Sequence, residues 1–223
     1  MPKRSQKGKK QILIVDDHPM MRQGLAQLIG HEPDLCVCGE ADSAAQALER
    51  AAAGKVDLAL VDISLPDRSG LELIKDLQSY YPGLPVLVVS MHDESLYAER
   101  VLRAGGRGYI MKQEGGKLLM QGIRQVLSGR IYVSEKMSAK ILEIFSGHRP
   151  SATDSLTELL SDREFEVFQL LGQGKGTRDI AAYLRLSIKT VEVHRANIRQ
   201  KLKLKAGADV VRYAIRWTES QTG

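Results

Sequence analysis

The chain has 223 residues, 43% hydrophobic and 26% charged, the proportions of a globular protein rather than a disordered one. No apolar run approaches the ~18 residues of a membrane span, and the basic first ten residues are not followed by the apolar stretch of a secretory signal. Two cysteines are too few for a disulfide framework, so a reducing cytoplasm is the expected compartment. The net charge is +5 and unevenly spread. Residues 1–10 carry five Lys/Arg and no acid, and read as a disordered basic tail. Residues 11–150 carry 15 basic and 18 acidic groups, and residues 151–223 carry 12 and 9. That asymmetry predicts two bodies with different partners.

The first half alternates short β-rich runs with helical ones. Ile12 to Val15 is a continuous apolar run, as buried parallel strands are, and a helix with Met20, Met21, Leu25, Leu28 and Ile29 follows. Leu35 to Cys38 reads as a strand before a helix at Ser43–Ala53. Leu58 to Val61 precedes a helix near Gly70–Gln78, and Val86 to Val89 one near Ser95–Ala104. Gly108 to Met111 is a short last strand before a helix at Lys117–Leu127. Five strands alternating with five helices predict a doubly wound, five-stranded parallel α/β sheet. An amphipathic helix at Ser134–Phe145 follows, with Met137, Ile141, Ile144 and Phe145 apolar. Residues 146–155 then read as a linker rich in Ser, Gly and Pro.

Beyond the linker every apolar run has helical period. Ser161 and Glu164 form a capping box that opens one helix, which Gly172 and Gly174 end. Thr177 is placed to cap a short helix and Ser187 a longer one through Val191, Ile198 and Leu202. A last helix covers about Ala208–Trp217. This half is therefore an all-α domain of four helices.

Doubly wound sheets bind ligands at the carboxyl ends of their strands. The first strand ends at Asp16-Asp17, the third at Asp62, the fourth at Ser90 and the fifth near Lys112. Three carboxylates, a hydroxyl and an ammonium thus share one rim. Crowded carboxylates call for a cation, and hard oxygen donors favour Mg²⁺ over zinc. A metal and a lysine suit phosphoryl transfer, with one carboxylate as nucleophile.

These residues resemble the receiver domain of bacterial two-component response regulators over about residues 11–128. The motifs are Ile14-Val15-Asp16-Asp17-His18, Val61-Asp62-Ile63-Ser64-Leu65-Pro66, Val89-Ser90 and Lys112. The resemblance implies a flavodoxin-like fold in which Asp62 accepts the phosphoryl group. It implies Mg²⁺ held by Asp17, by Asp16 through water, by Asp62 and by the Ser64 backbone carbonyl. Lys112 and Ser90 would hold phosphoryl oxygens, and Tyr109 would act as an aromatic switch that swings inward when Ser90 moves. Many receivers follow the lysine with proline after a cis peptide bond. Here Gln113 stands in that place, where cis costs ~3–4 kcal/mol.

Between Lys175 and Lys205 lie nine Lys/Arg and two acids, on helices with helix-turn-helix spacing. Val191, His194, Ile198 and Leu202 share the inward face of the second helix. Lys189, Glu192, Val193, Ala196 and Arg199 or Gln200 share the outward face. Val193 could touch a thymine methyl and Glu192 accept from cytosine. Lys189, Thr190, Arg195 and Arg199 suit phosphates. The segment resembles the LuxR/NarL-type helix-turn-helix over about Leu156–Trp217. It is carried by Leu156-Thr157, Asp162-Arg163-Glu164, Glu166-Val167, Gly174, Ile180-Ala181, Leu184, Ser187, Lys189-Thr190-Val191, His194, Ile198 and Lys201-Leu202. The resemblance implies that Val191–Gln200 enters the major groove, with Thr177 among the DNA-contacting residues, and that the final helix pairs two subunits.

Together the two resemblances identify the chain as a NarL/FixJ-type response regulator, a DNA-binding protein and not an enzyme, beyond catalysis of its own phosphorylation and dephosphorylation with Mg²⁺. The implied partners are a sensor histidine kinase, promoter DNA, RNA polymerase and a second copy on DNA, with no membrane. The domains are expected at 1–10 (tail), 11–130 (receiver), 131–156 (linker with one helix) and 157–223 (DNA-binding). Two rivals are an atypical regulator whose receiver is never phosphorylated and acts as a dimerising or ligand-gated module, and a haloacid-dehalogenase-like phosphatase. The latter wants an acid two residues beyond its nucleophile, where Ser64 stands. The run Gly172–Thr177 lacks the spacing of a Walker loop. Cys36 and Cys38 point the same way on one strand and read as core, and the five histidines read as scattered.

Overall fold

A computed structural model describes residues 8–145 and 159–222. The chain divides between Ala139 and Lys140 into two units. The first begins with β1 (Lys10–Val15), α1 (Pro19–Gly30), β2 (Leu35–Ala41) and α2 (Ala44–Ala53). It continues with β3 (Leu58–Val61), α3 (Gly70–Tyr80), β4 (Val86–Ser90), α4 (Glu94–Arg103), β5 (Gly108–Met111) and α5 (Gly116–Leu127). All the strand pairs are parallel, in the order β2-β1-β3-β4-β5. The expected doubly wound sheet is therefore present, and the chain reverses direction across the sheet at β1 and β3, where such folds open a crevice.

The continuous apolar runs are explained by burial on both faces. Ile12, Leu13, Ile14 and Val15 are at most 1% exposed. Ile12, Ile14, Leu58, Leu60, Leu87, Val89 and Ile110 pack with Leu25 and Ile29 of α1 and Leu119, Ile123 and Val126 of α5. The alternate residues of the strands are buried as well, as period-two geometry requires. Helix starts follow local chemistry. Ser43, Ser69 and Asp93 each accept a backbone N–H of the following turn, and Pro19 opens α1, where its missing N–H costs nothing.

Two expectations are corrected here. Cys36 is half-buried and Cys38 exposed, so neither belongs to the core. The register along β1 slips between Ile12, opposite Val37, and Leu13, opposite Gly39, so Cys38 is the extra residue of an irregular edge strand. Lys10, expected in the tail, opens β1 and reaches Asp57 at 3.2 Å. The rest of the expected tail, residues 1–7, lies outside the described residues.

After α5 the chain crosses beside β5, where Tyr132 bridges Gly108 in parallel. It then enters α6 (Glu135–Phe145), opened by Ser134, whose Oγ accepts the Met137 N–H at 3.1 Å. Met137 is buried and Ile141 half-buried, while the side chains of Ile144 and Phe145 lie outside the described residues. So do the expected linker at 146–155 and the pair Leu156-Thr157.

The second unit holds α7 (Asp162–Gly172), α8 (Thr177–Tyr183), α9 (Ile188–Lys201) and α10 (Gly207–Thr222). The capping box is formed: the Glu164 N–H donates to Ser161 Oγ at 3.4 Å, and the Ser161 N–H to Glu164 Oε2 at 2.8 Å. Phe165 and Phe168 each meet Trp217 edge-on at 5.6 Å, which locks α7 against α10. Gly172 is required at that crossing, because a Cβ there would lie 2.1 Å from Thr218 Oγ1. Thr177 is not a cap. Gly176 occupies the cap position, its N–H donating to Asp179 at 3.2 Å, and Thr177 is the first helical residue. The turn between α8 and α9 closes with Arg185 at φ +52°, and α9 stops where Lys203 takes φ +53°.

Candidate functional site

Four strand ends bring the first unit's polar residues together. Asp16 follows β1, Asp62 follows β3, Ser90 ends β4, and Lys112 follows β5. Lys112 Nζ lies 2.7 Å from Oδ2 of Asp62 and 2.7 Å from Oδ2 of Asp16, and all three side chains are at most 3% exposed. Ser90 is fully buried. Asp62 Oδ1 is buried with no hydrogen-bond partner among the described residues. Burial pushes the Asp62 carboxyl above the usual range; the Lys112 charge pulls it down, and the Asp16 charge pushes it up again. Burial works against the Lys112 ammonium, but the two carboxylates outweigh it and raise its pKa.

Asp17 sits beside this pair, with His18 Nδ1 2.6 Å from its Oδ1. Carboxylate oxygens of Asp16, Asp17 and Asp62 and a nitrogen of His18 all lie within 4.8 Å of one another. A set dominated by buried hard oxygens, with Asp62 Oδ1 unbonded among the described residues, fits Mg²⁺. Ser64 adds no side-chain donor to that group. Its hydroxyl instead lies 2.9 Å from His92 Nε2.

His92 was not distinguishable from the other histidines by sequence, although it stands two residues after Ser90. Its N–H reaches Ser90 Oγ at 3.5 Å, its carbonyl accepts the Tyr109 hydroxyl at 2.8 Å, and its ring lies 4.7 Å from that of Tyr97. Burial, and secondarily the Lys112 charge, hold the imidazole down at about 4, so it is neutral at pH 7. The Tyr109 ring is 1% exposed and turned inward, and burial raises its hydroxyl well above the usual range. No cis peptide bond occurs among the described residues. Lys112–Gln113 is therefore trans, and residues Lys112–Glu114 form a single 3₁₀ turn.

Two further residues shape the rim. Gly70, the first residue of α3, is pressed onto the strand end: a Cβ there would lie 2.1 Å from the Asp62 carbonyl oxygen. Asp67 accepts the Ala44 and Ala45 N–H groups at 3.0 Å each, anchoring the loop after Asp62 to the start of α2. Neither has a signature in the local sequence pattern.

In the second unit α9 is divided as its pattern predicts. Val191 and Ile198 are fully buried, and His194 and Leu202 are half-buried. Lys189, Glu192, Val193, Ala196, Arg199 and Gln200 are exposed, Val193 to 51%. Thr190, Arg195 and Thr177 are half-buried and tied into the motif. Thr190 Oγ1 lies 2.7 Å from Ser187 Oγ, and the Arg195 guanidinium donates to Thr177 Oγ1. A helix with an exposed basic and apolar face beside a short bracing helix can lie in a DNA major groove.

Comparisons with known proteins agree on both units. The family "response regulator receiver domain" matches residues 12–124, and "bacterial regulatory proteins, luxR family" matches residues 158–214. The oxygen regulatory protein NreC of Staphylococcus haemolyticus (strain JCSC1435) is 33% identical over 92% of this chain and 96% of its own. NreC of Staphylococcus carnosus (strain TM300) is 32% identical over the same shares. A two-component response regulator of the LuxR family from Aurantimonas sp. SI85-9A1 superposes with TM-score 0.58 at 29% identity, over 62% of this chain and 99% of that one. RcsB from Salmonella enterica serovar Typhimurium, bound to promoter DNA in the presence of phosphomimetic BeF3−, shares the fold at TM-score 0.61 and 23% identity, over 93% and 98% of the two chains. The chain thus belongs to the two-component response regulators that join a receiver domain to a LuxR-type DNA-binding domain, and it is a regulator rather than an enzyme.

Proposed function

We propose that Asp62 is the phosphoacceptor and that its phosphorylation by a sensor histidine kinase raises the affinity of the second domain for promoter DNA. The observation that carries this is the buried Asp62 carboxylate, unbonded at Oδ1 among the described residues and held at Oδ2 by Lys112. In the transfer, an Asp62 oxygen attacks the phosphorus of the kinase's phosphohistidine. The P–N bond breaks as the P–O bond forms, and the leaving imidazole takes up a proton. Lys112 and the Ser90 hydroxyl hold the phosphoryl oxygens and stabilise their growing charge. Asp16, Asp17, Asp62 and the Ser64 carbonyl would hold Mg²⁺, which when bound offsets the carboxylate and phosphoryl charges. Tyr109, already inward and bonded to the His92 carbonyl, reports the position of the Ser90 loop.

On DNA, Val193 and Glu192 read base edges with Ala196 at the groove floor, while Lys189, Thr190, Thr177, Arg195 and Arg199 position the helix on phosphates. The active form is a homodimer that works with RNA polymerase in the cytoplasm. Titration with a small phosphodonor and Mg²⁺ tests the acceptor. Asp62→Asn should lose all labelling while keeping its circular dichroism spectrum, and labelling equal to wild type would refute the assignment.

A further inference from the structure

Two tethers join the start of α6 to the first unit, one at β5 and one at α4. The first is backbone: the Tyr109 N–H donates to the Tyr132 carbonyl at 2.9 Å, and the Tyr132 N–H to the Arg107 carbonyl at 3.0 Å. The second is a side chain. Glu94, the first residue of α4 and 8% exposed, accepts the Ser134 N–H on Oε1 at 2.8 Å. Ser134 is the residue that opens α6, since its Oγ and carbonyl take the Met137 and Ser138 N–H groups at 3.1 and 2.9 Å. Met137, in the first turn, is 2% exposed and belongs to the first unit.

Both tethers are anchored on elements that adjoin the loop following Ser90. The Tyr109 hydroxyl holds the His92 carbonyl, and Glu94 lies two residues beyond His92. A carboxylate accepting a backbone N–H is a charge-assisted bond, and at this burial it is little screened by salt. A local cap would satisfy α6 from its own sequence, as Ser134 Oγ already does. Glu94 instead joins two helices 40 residues apart.

We infer that Glu94 is a positioning residue that couples the phosphorylation state of Asp62 to DNA affinity through its bond to Ser134 at the start of α6. The inference rests on the reading of Asp62 as phosphoacceptor. A shift of the Ser90 loop moves His92 and the first turn of α4, and the Glu94–Ser134 bond passes that shift to the helix leading into the second unit. Such coupling needs the bond to differ between the two states.

The test uses the full chain and a duplex selected from a random pool by the wild-type protein. Its affinity is measured with and without acetyl phosphate and Mg²⁺, alongside the extent of labelling. For wild type the phosphodonor should raise affinity at least about fivefold, the lower end of usual allosteric couplings. Glu94→Ala should label normally, but its affinity ratio should collapse to within about twofold of unity, outside the range of ordinary coupling. Glu94→Gln keeps an oxygen able to accept the Ser134 N–H and should restore most of the ratio. A wild-type ratio in Glu94→Ala overturns the inference, even if that variant melts earlier. Should Glu94→Ala fail to fold, amide exchange at Met137 and Ser138 in wild type decides: protection should change with phosphodonor, and unchanged protection overturns the coupling. No phosphodonor effect on wild-type DNA affinity would bring down the underlying reading together with the inference.

Discussion

Replacing Lys112 by methionine tests whether the ammonium holds the pocket together. The side chain keeps its length and loses its charge, leaving Asp16 and Asp62 buried without the cation that now lies 2.7 Å from each. Breaking a buried ion pair from one side costs about 3–5 kcal/mol, because the remaining charge has lost its partner and its water. With a urea slope of about 2 kcal/mol/M, typical of a small domain, the midpoint of the first unit should fall by about 2 M in a chelator-treated buffer. The deficit should depend on pH. Burial and Asp16 already raise the Asp62 pKa, and loss of Lys112 raises it further. A group whose folded pKa is raised stabilises the fold when protonated and loses that contribution as pH rises through the folded value. The variant should therefore be weakest near pH 7 and approach wild type on acidification through the carboxylate range. Mg²⁺ at a hundred times its dissociation constant should return about 2.7 kcal/mol by linkage. Urea unfolding followed by circular dichroism, at pH 7 and pH 4.5 and with and without Mg²⁺, measures all three effects. A loss below about 1 kcal/mol at pH 7 would refute the argument, since that is the range of solvated surface pairs.

Gly70→Ala should cost about 1–3 kcal/mol and slow labelling of Asp62, because the added Cβ meets strand-end backbone that no rotamer change can move; unchanged urea unfolding would show that α3 can retreat. Val193→Ala should relax sequence preference at one base position by about 1–3 kcal/mol, while Lys189→Ala weakens all duplexes alike and lowers the salt slope by about 1. Uniform loss for Val193→Ala, read from binding to a panel of duplexes, would remove its base-reading role. Glu164→Ala breaks both the Ser161 capping box and the bond from Lys201 at 2.6 Å. Burial works against the Glu164 carboxylate, but Lys201 and Ser161 hold its pKa below the usual range. Its stabilisation is thus present at neutral pH and lost as pH falls through the folded value. The variant should lose about 1–3 kcal/mol at pH 7, and its gap to wild type should narrow as pH falls through the folded value. A gap that is constant with pH in thermal melts would contradict this.

The Glu94 bond and the Lys112 network differ in what they ask of the fold. Lys112 neutralises charge and is needed whether or not a signal arrives. Glu94 bonds to Ser134 rather than to the pocket carboxylates, so its removal should leave labelling intact and change only what labelling does. Measuring both variants separates assembly of the site from transmission of its state.

The sequence by itself determined the layout. Continuous apolar runs at Ile12–Val15, Leu58–Val61 and Val86–Val89, alternating with helical patterns, read as strands buried on both faces. Parallel strands put their carboxyl ends on one rim, so Asp16, Asp62, Ser90 and Lys112 are legible as neighbours from the sequence. The 3.6-residue period of α9 likewise divided Val191 and Ile198 from Lys189 and Val193. Tertiary structure decided whatever depends on register and on long-range pairing. A slip along β1 exposed Cys38, although alternation alone put it in the core. His92 meets Ser64 across 28 residues and Glu94 meets Ser134 across 40, distances over which no periodicity operates. Gly70 owes its place to a backbone approach that only the packed α3 creates. Burial patterns are written locally because hydrophobic periodicity belongs to each element alone. A hydrogen bond between two loops belongs to neither, and exists only once the sheet has set their separation.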